Sequence, residues 1–407
     1  MNNLDNKSKE NASGINRVIW IVLDSVGVGE APDSKDFGDV GVDTFGHTYK
    51  ANKGLNIPNL ISLGIGKIDG IDYIDNPSDD KIIGIYGKLQ EKSAGKDTTI
   101  GHWEMAGIYS SNPFPTFPNG FSDETNAEII KRANLPGILC NEPASGTEVI
   151  NRLGDEMVKS GKPIIYTSAD SVYQIAAHED VISLDRLYEI CQIARDYLQG
   201  DLGVARVIAR PFIGENGHYV RTSNRRDFSL APSKDNILNR IRDDKGLGVY
   251  AVGKIEDIFA GEGISEAVHT KDNMDGVDKT LEYMRQDNKG LIYTNLVEFD
   301  SAWGHRRDAV KYGKGLEDFD SRLPEIFDAM RDDDILIITA DHGCDPTYTG
   351  TDHTREYVPV LMYGKKLKKN VNLHTGDTYA DIAQTIAEIF NTRKTQIGTS
   401  RLKDILA

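Results

Sequence analysis

Asp24, Asp300 and Asp341 each close a short apolar run, in "RVIWIVLD", "GLIYTNLVEFD" and "DILIITAD". His305 follows in "FDSAWGHRR", His342 stands directly after Asp341 in "TADHGCD", and His353 comes a short loop later in "GTDHTREYVP". An aspartate at a strand end is by itself an ordinary turn former, and a loop histidine ordinarily bonds to backbone. Three of only nine histidines beside three such aspartates make a different pattern, a carboxylate and imidazole donor set without thiolate. That chemistry suits a hard or borderline divalent cation, Mn²⁺ or Zn²⁺ more than Ca²⁺. Six ligands exceed one tetrahedral site, so the pattern predicts two metals roughly 4 Å apart that clamp a phosphoryl group and activate a nucleophile.

The segment "AGKDTTIGHWEMAG" offers that nucleophile twice, as Thr98 and Thr99, beside His102, Trp103 and Glu104. A threonine hydroxyl is weak at neutral pH and becomes reactive when a metal or base activates it; otherwise it serves a turn. Five arginines, Arg206, Arg210, Arg221, Arg225 and Arg226, crowd into "GVARVIARPFIGENGHYVRTSNRRDF". In a chain of formal charge −16 they are a candidate clamp for a phosphate that does not react, the alternative being a solvated basic face. Ser168 and Asp170, in "YTSADS", follow a predicted strand where they could meet sugar hydroxyls. "LDSVGVGE" is a poor dinucleotide fingerprint, because Pro32 replaces the third glycine and Asp24 would repel a pyrophosphate.

These residues need a scaffold that brings distant strand ends to one rim. Short β-branched runs with helical patterns between them predict an α/β fold, a mostly parallel sheet flanked by helices, with strands over 17–24, 290–300, 334–341 and 358–364. Helices are predicted over 184–199, 275–287, 315–331 and 378–391. Ligands of open α/β sheets collect outside the carboxyl ends of the strands, where the three aspartates would meet. From about 116 to 231 the chain becomes rich in Pro, Gly and Asn at its ends, with further strands in "KPIIYTSAD" and "GVARVIARPF". We read 116–231 as a smaller inserted α/β cap domain, 16–115 with 232–407 as a metal-binding catalytic core, and 1–15 as a flexible tail.

With 407 residues, 39% hydrophobic and 27% charged, the chain is globular rather than disordered. The acidic balance argues against a nucleic-acid or anionic-membrane partner, and no apolar run is long enough to span a bilayer. Cys140, Cys191 and Cys344 are odd in number and lack C-x-x-C spacing, which points away from a disulfide framework and toward a reducing cytoplasm. No obligate protein partner is inferred.

The stretches "LDSVGVGEAPD", "GVDTFGH", "GKDTTIGHWEMAG", "PASGTEVI", "YTSADSVYQIAAHE", "VIARPFIG", "FDSAWGHRRD" and "TADHGCDPTYTGTDHTREYVPVL" together resemble the bacterial phosphopentomutase family of the alkaline phosphatase superfamily, from about residue 17 to the C-terminus. The resemblance implies an alkaline-phosphatase-like core with an inserted cap and two Mn²⁺ ions. One ion would be held by Asp24, Asp341 and His342, the other by Asp300, His305 and His353. It makes Thr98 the phosphorylated nucleophile, primed by a sugar bisphosphate such as glucose 1,6-bisphosphate. Asp170, Arg206, Arg221 and Lys254 match positions that contact the pentose phosphate or its distal phosphate. Ile100 stands where the family usually carries a second threonine, and Thr99 fills its variable position. The implied reaction interconverts ribose 1-phosphate and ribose 5-phosphate, with the deoxyribose compounds as further substrates. Its rivals are a metal-dependent phosphohydrolase on the same core and a non-catalytic sugar-phosphate binder.

Overall fold

The computed structural model describes residues 13–168 and 170–407. Most of the expected tail, residues 1–12, lies outside the described residues. Its last position does not behave as tail, because Ile15 is fully buried and Asn16 donates its N–H to the Asp333 carbonyl. The chain divides into two compact units, one formed by the chain up to Asn112 with Pro232–Ala407, the other by Pro113–Ala231.

In chain order the strands are β1 (Arg17–Leu23), β2 (Ile85–Leu89), β3 (Leu139–Pro143), β4 (Ile164–Thr167), β5 (Val172–His178), β6 (Arg206–Glu215), β7 (His218–Arg221) and β8 (Arg226–Ser229). They continue with β9 (Gly248–Val252), β10 (Glu266–Val268), β11 (Gly290–Leu296), β12 (Asp334–Thr339), β13 (Val358–Tyr363) and β14 (Val371–Gly376). The larger unit holds a sheet ordered β10-β9-β11-β1-β12-β13-β2-β14. Only the two pairings made by β13 are antiparallel. β1, β11 and β12 are buried along their whole length, as continuous apolar runs covered on both faces must be. Trp20 stacks on Tyr293 between neighbouring strands, with ring centroids 4.3 Å apart.

Helices Asn273–Arg285, Ala309–Ala329 and Ala380–Ile389 belong to this unit. Asp272 and Asp308 begin the first two by accepting the backbone N–H groups of Asp275 and Lys311. That cap starts the second helix six residues before the expected 315. Its first residues, "AVKYGK", carry little apolar periodicity, so pattern alone placed the start too late.

The strand expected over 290–300 stops at Leu296, and Phe299–Gly304 forms a π-helical turn instead. Asp300 therefore sits in that turn rather than at the strand end. Such turns are rare and concentrate at functional sites, where they redirect side chains.

The smaller unit carries a mixed sheet ordered β3-β4-β5-β6-β7, with β8 added on β6. β3 and β4 are parallel, so the chain must cross over between them, and helix Gly146–Ser160 makes the crossing. Val149, Ile150 and Met157 of that helix join Ile164, Ile175, Leu187 and Ile190 in one buried cluster.

Candidate metal centre

β1, β11 and β12 are adjacent and parallel, so the loops beyond Leu23, Leu296 and Thr339 leave the sheet side by side. Asp24 follows β1 directly, and its N–H donates to the Leu296 carbonyl at 3.3 Å. Ser25 then adopts φ 71°, a left-handed conformation that a residue with a Cβ rarely takes, and its N–H donates to Asp341 Oδ1 at 2.9 Å. The strained turn is thereby used to hold a carboxylate of the neighbouring strand. Gly343 and Thr354 exchange two backbone hydrogen bonds, which bring the His342 and His353 rings to a 4.1 Å centroid separation.

All six residues expected as ligands lie in this one place. Asp24, Asp341 and His342 offer donor atoms within 4.8 Å of one another, as do Asp300, His342 and His353. A third such group joins Asp300 and His305 to Cys344. His305 Nε2 and His353 Nε2 each stand 3.3 Å from a different oxygen of Asp300. The His342 Nδ1 lies 3.0 Å from the Gly343 carbonyl and His305 Nδ1 2.6 Å from that of Thr351. With each Nδ1 on a backbone carbonyl, it is each Nε2 that faces the aspartates and is free for a metal once deprotonated.

Among the described residues, Asp24 Oδ1, Asp300 Oδ1, Asp341 Oδ2 and His353 Nε2 are buried without a hydrogen-bond partner. Three orphaned carboxylate oxygens beside an unpartnered imidazole nitrogen in a protein interior call for a cation, so the site fits a divalent metal pair by chemistry as well as by placement. The electrostatics agree. Burial, reinforced by Asp341 and Asp300, pushes the Asp24 carboxyl well above the usual range. Burial would raise Asp300 as well, but His353 and His305 hold it well below. Contact with Asp300 in turn pushes His305 up to about 9.

Thr98 is the first residue of helix Thr98–Met105, because the Asp97 carboxylate caps it by accepting the N–H groups of Thr99 and Ile100. The Thr98 hydroxyl lies 3.0 Å from His342 Nε2, inside the ligand group. Thr99 is tied to the cap through its backbone N–H.

Several residues outside the expected set support this arrangement. His102 Nδ1 is 2.8 Å from the Thr98 carbonyl and 3.2 Å from Asp341 Oδ2. Asn295 Nδ2 donates to Asp24 Oδ2 at 2.8 Å and approaches His102 Nε2 at 3.4 Å. Glu104 accepts from Lys92 N–H, the Thr378 hydroxyl and Tyr379 N–H, fixing the helix that carries Thr98. The sequence signals were an amide within a fully buried strand run and two polar residues sharing the Thr98 segment. Cys344 gave no signal. Its buried thiol is pushed far above its ordinary value, so the sulfur beside His305 is a protonated thiol, with its S–H on the Asp352 carbonyl.

A family model described as the Metalloenzyme superfamily matches residues 16–394. A phosphopentomutase from Clostridium novyi (strain NT) is 59% identical over 96% of this chain and 100% of its own. The chain belongs to the phosphopentomutase family. A second relative, a phosphopentomutase from Clostridioides difficile (strain 630), is 57% identical over the same share of this chain and 100% of its own. Family membership makes the protein an enzyme of the isomerase class. A solved structure it is similar to, a protein in the alkaline phosphatase superfamily from Vibrio parahaemolyticus, aligns with 97% of this chain and 71% of its own at TM-score 0.42 and 12% identity.

The remaining candidate positions are divided between the units, Lys254 in the larger and Ser168, Asp170, Arg206 and Arg221 in the smaller. Lys254 is exposed, just beyond the carboxyl end of β9 in the larger unit. Ser168 and exposed Asp170 follow β4, and the Asp170 N–H donates to the Ser168 hydroxyl at 3.3 Å. Arg206 opens β6 and lies 3.5 Å from Asp227, to which Arg225 pairs bidentately. Arg221 closes β7 and donates to the Thr147 hydroxyl at 2.9 Å. Of the five arginines, Asp227 takes Arg206 and Arg225, and Arg226 packs over the Tyr188 and Phe228 rings. No helix among the described residues is long and apolar enough to cross a membrane.

Proposed function

We propose that this chain is a phosphopentomutase that interconverts α-D-ribose 1-phosphate and D-ribose 5-phosphate, and the 2-deoxyribose phosphates, through a phosphothreonine enzyme. The observation that carries the reading is the Thr98 hydroxyl at a capped helix start, 3.0 Å from His342, within a group of orphaned aspartate and histidine donors. Asp24, Asp341 and His342 would hold one Mn²⁺ ion, and Asp300, His305 and His353 the other. Such a pair supplies charge neutralisation at a transferring phosphoryl group and lowers the pKa of a hydroxyl in contact with it.

The chain's own residues define the rest. In the forward half-reaction the bond from phosphorus to Thr98 Oγ1 breaks, a new bond forms to the free sugar hydroxyl, and that hydroxyl's proton ends on Thr98. The product is a 1,5-bisphosphate. In the reverse sense the other phosphoryl group passes to Thr98, leaving the isomeric monophosphate. With the Thr99 and Ile100 N–H groups taken by Asp97, the Thr98 N–H and the positive end of the helix dipole would be what the helix start offers the phosphoryl oxygens. His102 and Asn295 hold the Thr98 backbone and the carboxylates of Asp341 and Asp24 in one register. Ser168, Asp170, Arg206, Arg221 and Lys254 are assigned the sugar hydroxyls and the phosphate that does not react. A sugar bisphosphate such as glucose 1,6-bisphosphate would prime Thr98. We assign the reaction to the cytoplasm, consistent with three unpaired cysteines.

Phosphorus NMR tests the proposal: ribose 5-phosphate is incubated with the protein, Mn²⁺ and a trace of the bisphosphate. Growth of the ribose 1-phosphate resonance supports it. Release of inorganic phosphate alone would replace the mutase by a phosphohydrolase.

A further inference from the structure

Lys96 lies two residues before Thr98, and its side chain is only 19% exposed. Its ammonium donates to Asp39 Oδ2 at 3.0 Å and Oδ1 at 3.3 Å, and stands 3.6 Å from Asp352 Oδ2. An ion pair at the surface ordinarily contributes little. This one is set apart by where its two carboxylates sit.

Asp352 falls between the two residues that aim the imidazoles of the metal position expected at Asp300, His305 and His353. Thr351 before it offers the carbonyl that takes His305 Nδ1 at 2.6 Å, and His353 after it stands 3.3 Å from Asp300. Asp352 Oδ1 itself accepts the His353 N–H at 2.8 Å. Residues 344–353 form no helix or strand, and the pairing of Gly343 with Thr354 closes the base of this loop. Residues 349–352 are all exposed, so packing does little to place them. Among the described residues no other lysine or arginine lies within ion-pair distance of Asp352.

Asp39, on the other side of the ammonium, is buried and also accepts the Arg355 N–H at 2.8 Å. Arg355 in turn donates from Nη1 to the carbonyl of Gly95, the neighbour of Lys96, at 2.5 Å. Residues 95–98 and 351–355 are therefore fastened at two points, through Arg355 and through Lys96, with His353 between the fastenings.

We propose that Lys96 is a positioning residue for the metal position of Asp300, His305 and His353. Its ammonium draws Asp352 toward the segment that carries Thr98, and through Asp352 it sets the Thr351 carbonyl and His353. This rests on the two-metal reading and adds to it a strut between the nucleophile and the ligand loop. Charge alone makes the opposite demand, because an ammonium repels a dication nearby. Removing the ammonium separates the two effects: a lost strut weakens Mn²⁺ binding, whereas a lost repulsion strengthens it. The position of Asp24, Asp341 and His342 takes no residue from 351–353 and should not feel the change.

The test is titration of the metal-free full chain with Mn²⁺, the free ion being read from its EPR signal, in wild type, Lys96→Met, Lys96→Arg, Asp352→Asn and the double variant Lys96→Met with Asp352→Asn. Wild type should take up two equivalents. Lys96→Met keeps the stem and removes the charge, and should weaken one equivalent by about tenfold while the other stays within about twofold. Lys96→Arg keeps the charge and should stay within about threefold of wild type at both. Lys96→Met also strips Asp39 of its counter-charge, so Asp352→Asn, which leaves that pair whole, is the second arm and should weaken the same equivalent. Because Lys96 acts through Asp352, the double variant should lie within about twofold of the weaker single variant. Tighter Mn²⁺ binding in Lys96→Met would overturn the strut, as would losses that multiply in the double variant or affinities within about twofold of wild type in both single variants. A wild type that binds one equivalent would overturn the two-metal reading and the strut with it, an outcome distinct from two equivalents that are indifferent to Lys96.

Discussion

Thr98→Ala and Thr99→Ala form the most discriminating pair of variants. Removing the Thr98 hydroxyl costs one hydrogen bond, to His342 at 3.0 Å, worth about 1 kcal/mol. Alanine recovers about 0.5 kcal/mol in helix propensity at the same position. The net change, below about 1 kcal/mol, leaves the fold intact. Turnover behaves differently, because the substitution deletes a covalent route rather than weakening a contact. We expect mutase flux to fall at least about a thousandfold, which corresponds to about 4 kcal/mol of barrier. Thr99 contributes its backbone N–H to the Asp97 cap, which alanine keeps, so Thr99→Ala should retain a rate within about threefold of wild type. Phosphorus NMR gives the rates. Mass spectrometry of the protein after incubation with sugar bisphosphate gives the phosphorylation state, present in wild type and Thr99→Ala and absent in Thr98→Ala. A Thr98→Ala protein that stays folded and works within tenfold of wild type would refute the nucleophile assignment. So would a phosphoryl group located on Thr99.

Metal affinity should depend steeply on pH. In the metal-free protein His305 keeps its proton up to about 9 against an ordinary 6.5, so its stabilising contact with Asp300 is complete below 6.5 and lost as pH rises through 9. A ligand histidine must be neutral, so apparent Mn²⁺ affinity should rise by about tenfold per pH unit across that window, with proton release visible by calorimetry in buffers of different ionisation enthalpy. Asn295→Leu removes the donor to Asp24 while retaining bulk, and should weaken Mn²⁺ binding by about 10- to 100-fold in a chelator competition. Far from the site, Arg17→Leu strands the buried carboxylate of Asp334, now paired at 2.6 Å, and should lower unfolding stability by about 3–5 kcal/mol in denaturant titration.

The strands and the candidate ligands were legible in the sequence because both obey local rules. An apolar run buried on both faces of a parallel sheet has a plain signature, and a chain leaving its carboxyl end has to turn, so Asp24 and Asp341 announced themselves. Asp300 was legible as a ligand candidate but not in its setting, since "LVEFD" continues the apolar pattern after the backbone has left the strand for a π-helical turn. His102 and Asn295 were harder, because each matters through contacts with residues far along the chain, which no local pattern encodes. The five-arginine cluster was legible as a cluster but not in its individual partners, which depend on how β6, β7 and β8 pair.

The buried carboxylates of this acidic chain fall into two kinds, and hydrogen bonding separates them. Glu356 accepts from the N–H groups of Gly29 and Thr44 and from the hydroxyls of Thr44 and Thr354, so both its oxygens are occupied. Those donors come from the segments after Asp24 and after His353, which lack a strand ladder to satisfy their polar groups. Glu104 does the same for the turn before Thr98. Such carboxylates replace missing backbone partners and have nothing left to offer a metal. Asp24, Asp300 and Asp341 each keep one oxygen without a donor. Glu91 keeps one too, but its other oxygen meets the Arg355 guanidinium at 2.6 Å, which supplies the compensating charge. Beside the three aspartates the only ionisable donors in contact are histidines, and histidines that must be neutral to bind metal give no such compensation. It is the surplus of unsatisfied carboxylate oxygens over fixed positive charge, rather than acidity as such, that distinguishes a place built for cations from a place built to hold a loop.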